Sequence, residues 1–379
     1  MRRERIAAAR DGKKIKDALE RALQLDPALE DAHFGIGLYH YYADVAPAAA
    51  KFLRFLLLLP GGDKTEGLAR MRRARANGAL LQGEADYQLH IVYLWYEHRA
   101  DLAVELLEEL RRRYPGNPMF AAQLAGVQER YQHDLTASLA TWRALLAAAR
   151  RGSVHEAELA TAQARLGVAH VLDALAQTDA ALDELRALVE ARPARPHGAL
   201  AAGYLALGEA EDRLGHRDAA LAAYRLAVSS APSPDADGVR SEAADRQRHA
   251  PDPVGAEAYR LSLQGWRLLE RGNAAAAEPM LARAAILDPR DAVTRYRHAR
   301  ALQARHDEAG ALTEYDAALR LAASAPAPIA AAAFLDAARL EERLGRRDEA
   351  IAHYQAATTW FGASADTIAA ASRALARLR

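Results

Sequence analysis

Residues Leu261–Pro289 read LSLQGWRLLERGNAAAAEPMLARAAILDP, and this stretch decides the fold. A small residue in a first helical segment is followed, in a second segment, by Ala, a bulky apolar residue and Ala, and then by a proline. These positions are Gly265, Ala277, Leu281, Ala284 and Pro289. Small side chains let two antiparallel helices approach closely, the bulky side chain fills the space beside them, and the proline ends the second helix. The stretch therefore predicts a helix–turn–helix unit.

The same ladder of small and bulky residues recurs along the chain. The further copies are Ala220, Tyr224, Ala227 and Pro232; Ala311, Tyr315 and Ala318; Ala350, Tyr354 and Ala357; Ala103, Leu107 and Pro115; and a degenerate copy at Ile15, Leu19, Ala22 and Pro27. Ala311 follows Ala277 by 34 residues, which is the period of the tetratricopeptide repeat. The chain resembles tetratricopeptide repeat proteins. The resemblance implies an all-α fold, a right-handed α-solenoid or superhelix of antiparallel helix pairs.

A second resemblance covers the N-terminal region. Residues 35–42 read GIGLYHYY and residues 52–74 read FLRFLLLLPGGDKTEGLARMRRA. These segments are similar to the tetratricopeptide repeat domain 39 family and to some bacterial tetratricopeptide repeat proteins. The resemblance brings no catalytic residue with it. An Ala-rich and Arg-rich composition is typical of a GC-rich bacterial gene, so we expect a bacterial protein.

The ladder and its interruptions predict five segments. They are a degenerate N-terminal region at 1–82, a repeat array at 83–230, a proline-rich segment at 231–253, a second array at 254–362 and a capping helix at 363–379. The proline-rich segment is either a linker or an irregular helix that keeps the superhelix continuous. The sequence Tyr114-Pro-Gly-Asn-Pro118 predicts a firm break inside the first array.

The N-terminal region breaks the pairing of helices. The pattern predicts a helix at 13–25, since residues 1–12 are too short and polar for a first helix, and then helices at 30–43, 48–59 and 64–76. The last three of these helices cannot form complete pairs, because pairs require an even number of helices. We therefore expect an irregularity near residues 30–80. The apolar run at 48–62 is too short and too interrupted by charge to span a bilayer, which needs about 20 apolar residues. We interpret it as a buried solenoid helix; the alternative is an exposed helix that binds a partner or a membrane interface.

Regular pairs follow this region. The predicted pairs are 84–98 with 101–113, 118–132 with 135–149, 154–176 with 178–191, 196–214 with 217–229, 254–270 with 273–286, 291–304 with 307–322 and 327–344 with 347–360. Pro279 predicts either a kink or a late start of its helix. A last helix at 364–378 is predicted to cover the final pair with Ile368, Ala371, Leu375 and Leu378, while its arginines stay in water.

Composition excludes several classes of function. The formal net charge is zero, from 50 basic and 50 acidic residues, which disfavours a nucleic-acid-binding protein. The absence of Cys excludes disulfides, thiolate metal sites and cysteine nucleophiles. The first residues, MRRERIAAARDG, lack the apolar core of a signal peptide. We therefore expect a cytoplasmic protein, or a periplasmic one if a signal sequence precedes Met1.

Motifs for catalysis are incomplete. His155-Glu156 begins like a zinc-protease helix, but Leu159 stands where the second His is required. The segment Gly61–Thr65 resembles part of a phosphate-binding loop but lacks the glycine spacing that such a loop requires. We therefore interpret it as the start of a helix. We expect no enzymatic activity and no cofactor.

The candidate binding residues lie on predicted first helices, which line the inner side of a repeat superhelix. The resemblance places partner contacts at a few first-helix positions near the conserved small residue of the repeat. In this chain those positions hold Trp95, Tyr96, Glu209, Asp212, Tyr259, Trp266, Tyr296, Arg300 and Arg339. Aromatic and Arg side chains are frequent anchors at interfaces. The alternative for each residue is that the aromatics pack between helices and the arginines are solvated.

These features predict a non-enzymatic scaffold that binds a peptide or helical segment of another protein in a concave groove. No integral membrane segment and no nucleic-acid partner are expected. The alternative function is that of a periplasmic or envelope assembly factor whose signal sequence lies upstream. The sequence specifies neither the partner nor the oligomeric state.

Overall fold

A computed structural model describes residues 2–48, 51 and 60–378. Within those residues the chain forms nineteen α-helices and no β-strand, so the all-α prediction is confirmed. The chain divides into two compact units, Met1–Pro115 and Gly116–Arg379. The boundary lies in the sequence break between Tyr114 and Pro118.

Unit 1 contains five of these helices. They are α1 (Arg2–Leu25), α2 (Ala32–Val45), α3 (Lys64–Asn77), α4 (Gln82–Trp95) and α5 (Ala100–Arg113). Helices α2 and α3 pack directly on each other where Gly37 faces Gly67. A Cβ atom on Gly67 would lie 2.8 Å from the Gly37 carbonyl oxygen, so this crossing requires glycine. Asp63 caps α3 by accepting hydrogen bonds from the backbone N–H groups of Thr65 and Glu66, as the predicted helix start requires.

Unit 2 contains six helix pairs and two single helices. The pairs are α6 (Pro118–Arg130) with α7 (Leu135–Arg150), α8 (Ala157–Ala174) with α9 (Thr178–Ala191), α10 (Ala199–Arg213) with α11 (Arg217–Ser230), α13 (Pro253–Glu270) with α14 (Ala274–Leu287), α15 (Ala292–Ala304) with α16 (Glu308–Arg320), and α17 (Ala327–Arg343) with α18 (Arg347–Thr359). The single helices are α12 (Val239–Arg248) and α19 (Ala365–Leu378). Each pair packs on the next, except that α12 is inserted between the α10–α11 pair and α13. This succession of pairs is the predicted solenoid.

The ladder residues are the contacts that hold each pair together. Ala220, Ala277, Leu281, Ala284 and Ala311 are all completely buried. In the α13–α14 pair, a Cβ atom on Gly265 would lie 2.7 Å from the side chain of Leu281. Gly265 therefore makes room for the bulky residue of its own pair, as the sequence pattern predicts.

The buried tyrosines of the ladder have a recurring polar partner. The hydroxyl groups of Tyr224, Tyr315 and Tyr354 bond to Asp212, Gln303 and Glu342 at 2.9, 2.7 and 2.6 Å, and each partner precedes its tyrosine by 12 residues. In α14 the bulky residue is Leu281, and Leu269 stands 12 residues before it. A buried hydroxyl needs a hydrogen-bond partner. The first-helix position is therefore polar where the ladder residue is tyrosine and apolar where it is leucine.

The N-terminal helix differs from the prediction. Residues 1–12 were expected to be too short and polar to form a helix, but α1 runs without interruption from Arg2 to Leu25. Arg, Glu, Ala and Lys, which fill this segment, are strong helix formers, and Gly12 lies against the ring of Tyr39 on α2. The predicted helix at 48–59 lies outside the described residues apart from its positions 48 and 51.

Two further elements are decided by the structure. Helix α14 begins at Ala274, before Pro279, so the late start considered for this helix does not occur. The proline-rich segment contains α12, whose Val239 and Ala243 are buried in the same apolar cluster as Tyr224 of the preceding pair.

The cap α19 covers the α17–α18 pair with Ala371 and Leu375, as predicted, and Leu378 packs against the same cluster. Thr367, Ala371, Ala374 and Leu375 are its buried residues. Ile368, predicted to be covered, is 37% exposed. Thr367 and Ala374, which were not in the predicted set, are buried instead of Ile368.

Candidate functional site

The first helices of unit 2 form a groove between α6 and α8. The cavity there has a volume of about 710 Å³, within the range of roughly 300–1,000 Å³ that is typical of ligand sites. Its floor is Trp142 of α7, and its walls include Met119, Leu159 and Leu166. Gly167 of α8 allows this arrangement, because a Cβ atom there would lie 2.3 Å from the Trp142 indole ring.

Polar groups lie at one end of this groove. The imidazole of His170 on α8 and the carboxylate of Glu129 on α6 are 2.8 Å apart. The hydrogen bond with Glu129 raises the pKa of His170, and the nearby carboxylates of Asp173 and Glu209 act in the same direction. Burial raises the pKa of Glu209 on α10, which forms an ion pair with Arg246 of α12 at 3.3 Å. The groove thus combines an apolar wall with a charged end, where Glu129, Arg130 and His170 lie.

A second set of side chains lies on α13, α15 and α17. Arg300 donates hydrogen bonds to Asp336 at 2.9 Å and to the Tyr296 hydroxyl at 3.0 Å. Its guanidinium also lies over the ring of Trp266, 5.9 Å from the ring centroid. Arg339 pairs with the same aspartate at 3.1 Å. Asp336 is therefore the centre of a network in which the polar groups satisfy one another.

A third set joins α13 and α15 to the turn between α8 and α9. The Tyr259 hydroxyl lies 2.6 Å from the Thr178 hydroxyl, and the guanidinium of Arg213 lies over the Tyr259 ring at 5.7 Å. Arg297 donates to the carbonyl oxygen of Ala176 at 2.6 Å. This part of the first-helix surface is covered by another segment of the same unit.

Sequence comparison identifies the repeat once this geometry is known. Residues 201–234, which cover the α10–α11 pair except its first two residues, match the model described as tetratricopeptide repeat. The chain therefore contains a tetratricopeptide repeat. No curated protein matches its sequence.

Solved structures resemble this chain at low sequence identity. A tetratricopeptide repeat protein from Parabacteroides merdae is 14% identical over 78% of this chain and 98% of that one, with a TM-score of 0.32. A Rap protein complexed with competence and sporulation factor is 15% identical over 99% of each chain, with a TM-score of 0.34. Yeast Tom70 is 12% identical over 98% of this chain and 86% of that one, with a TM-score of 0.34.

The repeats bring together four of the residues selected from the sequence. Trp266, Tyr296, Arg300 and Arg339 belong to the network around Asp336. Tyr259 lies against the α8–α9 turn instead. These five residues occupy successive first helices, which is where the repeat register places them.

The other selected residues have separate positions. Asp212 is buried between the two helices of its own repeat, where it accepts hydrogen bonds from Arg217 and Tyr224. Trp95 and Tyr96 lie in unit 1 and are 64% and 45% exposed. The Tyr96 ring contacts the ring of Tyr42 edge-on, with centroids 5.5 Å apart.

Sequence reasoning missed the groove between α6 and α8. One signal was available: Gly126 and Gly167 interrupt predicted first helices, where glycine costs about 1 kcal/mol relative to Ala and commonly marks a close contact. Asp336 was also missed, although it precedes the selected Arg339 by three residues on the same helix face.

The described residues contain neither a metal-binding cluster nor a helix suited to crossing a membrane. No group of three or more His, Asp or Glu side chains in this part of the chain is arranged to hold a metal ion. None of the described helices combines the length and the apolar character that crossing a membrane requires.

Proposed function

We propose that this chain is a non-enzymatic scaffold that binds an extended or helical segment of another protein on the first helices of unit 2. The groove between α6 and α8 is the proposed site. The observation that carries the proposal is an open apolar groove of about 710 Å³ on the face where paired-helix repeats present their first helices.

The chemistry of the groove suits a peptide chain. Met119 at its rim is 40% exposed, and Leu159 and Leu166 add apolar wall. Peptide recognition by helical grooves uses such apolar surfaces for a few anchor side chains. The His170–Glu129 pair at the end of the groove offers a charged contact that fixes the orientation of the bound segment.

The network around Asp336 is a weaker candidate for the first contact with a partner. Arg300 and Arg339 already share that carboxylate, and Arg300 also contacts Trp266 and Tyr296. A partner would have to compete with these internal contacts. Replacing Trp266 or Arg300 by Ala would also remove packing within the unit, so a loss of binding in those variants has two explanations.

A photo-crosslinking residue at position 163 tests the groove directly, because Gln163 lines it. The full-length protein is exposed to an extract of its source organism, and crosslinked peptides are identified by mass spectrometry. The control carries the same residue at position 286, since Ile286 is 70% exposed on α14 and does not line the groove. We expect a defined partner segment at position 163 alone. Equal crosslinking at both positions would contradict the proposal.

A matched pair of substitutions measures the contribution of the groove to affinity. Met119 and Val254 both follow a proline at a helix start and are 40% and 47% exposed, but only Met119 lines the groove. Met119→Glu is expected to weaken binding of the crosslinked segment at least about tenfold, because a carboxylate would be buried at the apolar wall. Val254→Glu is expected to leave the affinity unchanged, and the same loss in both variants would reject this groove as the site.

A further inference from the structure

The turn between α8 and α9 packs against two first helices, α13 and α15, that occur much later in the chain. Its residues Ala174–Asp179 contact α13 and α15, although the α10–α11 pair and α12 intervene in sequence. In a simple solenoid each unit contacts only its neighbours. This contact is therefore an addition to the repeat architecture, and it covers part of the face that lines a partner groove in this kind of fold.

A buried arginine holds the backbone of the turn. Arg297 is only 3% exposed, and it donates to the Ala176 carbonyl oxygen at 2.6 Å and to the Ser262 hydroxyl at 3.1 Å. Both acceptors are neutral, and burial lowers the pKa of Arg297. Burying a cation on neutral acceptors is energetically expensive. Desolvation of the guanidinium opposes the closed contact, and the Trp266 ring 5.6 Å away and the carboxylates of Asp291 and Glu270 offset part of this cost.

Side chains of the turn complete the contact. Asp179 accepts two hydrogen bonds from Arg267 of α13, at 2.6 and 2.7 Å. Thr178 bonds to the Tyr259 hydroxyl at 2.6 Å. The side chains of Asp179 and Arg267 are 40% and 25% exposed, so water and salt can reach the pair and weaken it. Such a pair can open without unfolding the helices that carry it.

The apolar part of the contact is small. Leu175 and Ala176 are 8% and 7% exposed and belong to the turn, while Leu263 of α13 lies in the same apolar cluster as Leu175. The turn therefore covers its surface with one large and one small apolar side chain. Leu175 and Leu263 also belong to the apolar cluster that contains Ala210 and Leu214 of the α10 region, so the polar bonds of the turn act together with this packing.

We propose that the Ala174–Asp179 turn is a latch. It is a segment of the chain itself that covers the first-helix face of α13 and α15 and can detach from that face reversibly. The released face presents Arg267, Arg297, Tyr259 and Trp266. Its ligand is a peptide segment of a partner that supplies what the turn supplies, a backbone carbonyl oxygen and a carboxylate. This inference rests on the proposed scaffold function but concerns a different surface from the groove between α6 and α8.

Charge reversal tests the latch in the full-length protein. Asp179→Arg and Arg267→Asp each break the pair, and the double variant restores it with the charges exchanged. Hydrogen–deuterium exchange is measured for the turn and for α13 and α15. We expect each single variant to raise exchange in these segments about tenfold or more, with α7 and α18 unchanged, and the double variant to return it towards the original rate.

The control is Asp101→Arg, which breaks a bidentate pair with Arg99 in unit 1 and makes the same change of charge. It is expected to leave exchange of the turn unaltered. Unchanged exchange in both single variants would show that the pair does not hold the turn. Faster exchange throughout unit 2 would show that the contact belongs to the cooperative core, and either result overturns the latch.

A crosslinking residue at position 264 reports on the ligand of the released face, because Gln264 is exposed on α13 beside Asp179 and Arg267. The Asp179→Arg variant is expected to gain a crosslinked partner peptide at this position that the unaltered chain lacks. Release without any gain of crosslinking would overturn the assignment of this face to a partner. Crosslinking at position 163 is read separately, so failure of the groove between α6 and α8 and failure of the latch give different results.

Discussion

A left-handed residue stands in every described turn that joins a first helix to its second helix, two positions before the second helix begins. These residues are His98, His133, Ala176, Gly215, Gly272, His306 and Gly345, with φ between 53° and 80°. Glycine adopts this conformation without steric cost, whereas other L-residues lose roughly 1–2 kcal/mol. The turn geometry is therefore common to the repeats, but its energetic cost differs from repeat to repeat.

Gly272 and His306 give a matched test of this cost, because they occupy the same position in consecutive repeats. Gly272→Ala is expected to lower the free energy of unfolding by about 1 kcal/mol. Nothing lies within 4 Å of its Cβ position, so the effect comes from the backbone alone. His306→Gly is expected to raise the free energy of unfolding by about 0.5–1 kcal/mol. Urea denaturation measures both, and shifts in the same direction would reject the backbone explanation.

His90 makes unit 1 sensitive to acid. Burial lowers the pKa of this histidine to about 4, below the value of about 6.5 that it has in an unfolded chain. Between these values the unfolded chain binds a proton that the folded chain does not, so stability is full above pH 6.5 and falls as the pH approaches 4. We expect a loss of about 3 kcal/mol over this interval. In His90→Leu the slope of unfolding free energy against pH should be smaller; an identical slope would contradict this assignment.

At the scale of elements, one carboxylate joins three consecutive helices of unit 1. Asp86 of α4 is completely buried, and it pairs with Arg75 of α3 and with Arg113 of α5, the latter at 3.3 Å. Both arginines retain partial exposure to water, so their charges are only partly desolvated. The carboxylate is the member of the network that the fold isolates from solvent.

Asp86→Ala is expected to destabilise unit 1 by about 2 kcal/mol, because it removes the shared partner of two partly buried cations. Asp101→Ala is the control, since Asp101 pairs with an arginine at the surface, where such pairs contribute little. Thermal unfolding followed by circular dichroism compares the two variants. Equal melting temperatures would show that the ion pairs joining α3, α4 and α5 contribute no more to stability than the surface pair of Asp101.

At the scale of the whole molecule, the last helix closes an apolar cluster. Ala371, Ala374 and Leu375 of α19 lie in one cluster with Leu335 of α17 and Tyr354 of α18. A terminal repeat requires such a cover, because the apolar face that would meet the next repeat is otherwise exposed.

Removal of residues 364–379 is expected to destabilise the α17–α18 pair by about 3 kcal/mol, the approximate value of burying one Leu and two Ala side chains. Hydrogen exchange should accelerate in α17 and α18 and remain unchanged in unit 1. As a control, Ile368→Ala changes a side chain of α19 outside the buried cluster and should have little effect. Unchanged protection of α17 and α18 after the truncation would contradict the capping role.

The sequence alone determined the helix pairs. Ala277, Leu281 and Ala284 act within about ten residues of one another, and their small and large volumes dictate how two adjacent helices pack. The positions of the selected first-helix residues follow from the same local register. The prediction that residues 1–12 do not form a helix was wrong, because helix propensity outweighed the polar character of these residues in α1.

The tertiary structure alone decided which first-helix surfaces are open and which are covered. Arg297 reaches Ala176 across 121 residues, and Arg267 reaches Asp179 across 88. No local pattern encodes such contacts, because they depend on the accumulated rotation from one repeat to the next and on the insertion of α12. The groove between α6 and α8 likewise depends on a tertiary contact, the close approach of Gly167 on α8 to Trp142 on α7. Local side-chain volumes therefore specify the repeats, while long-range packing specifies the surfaces available to a partner.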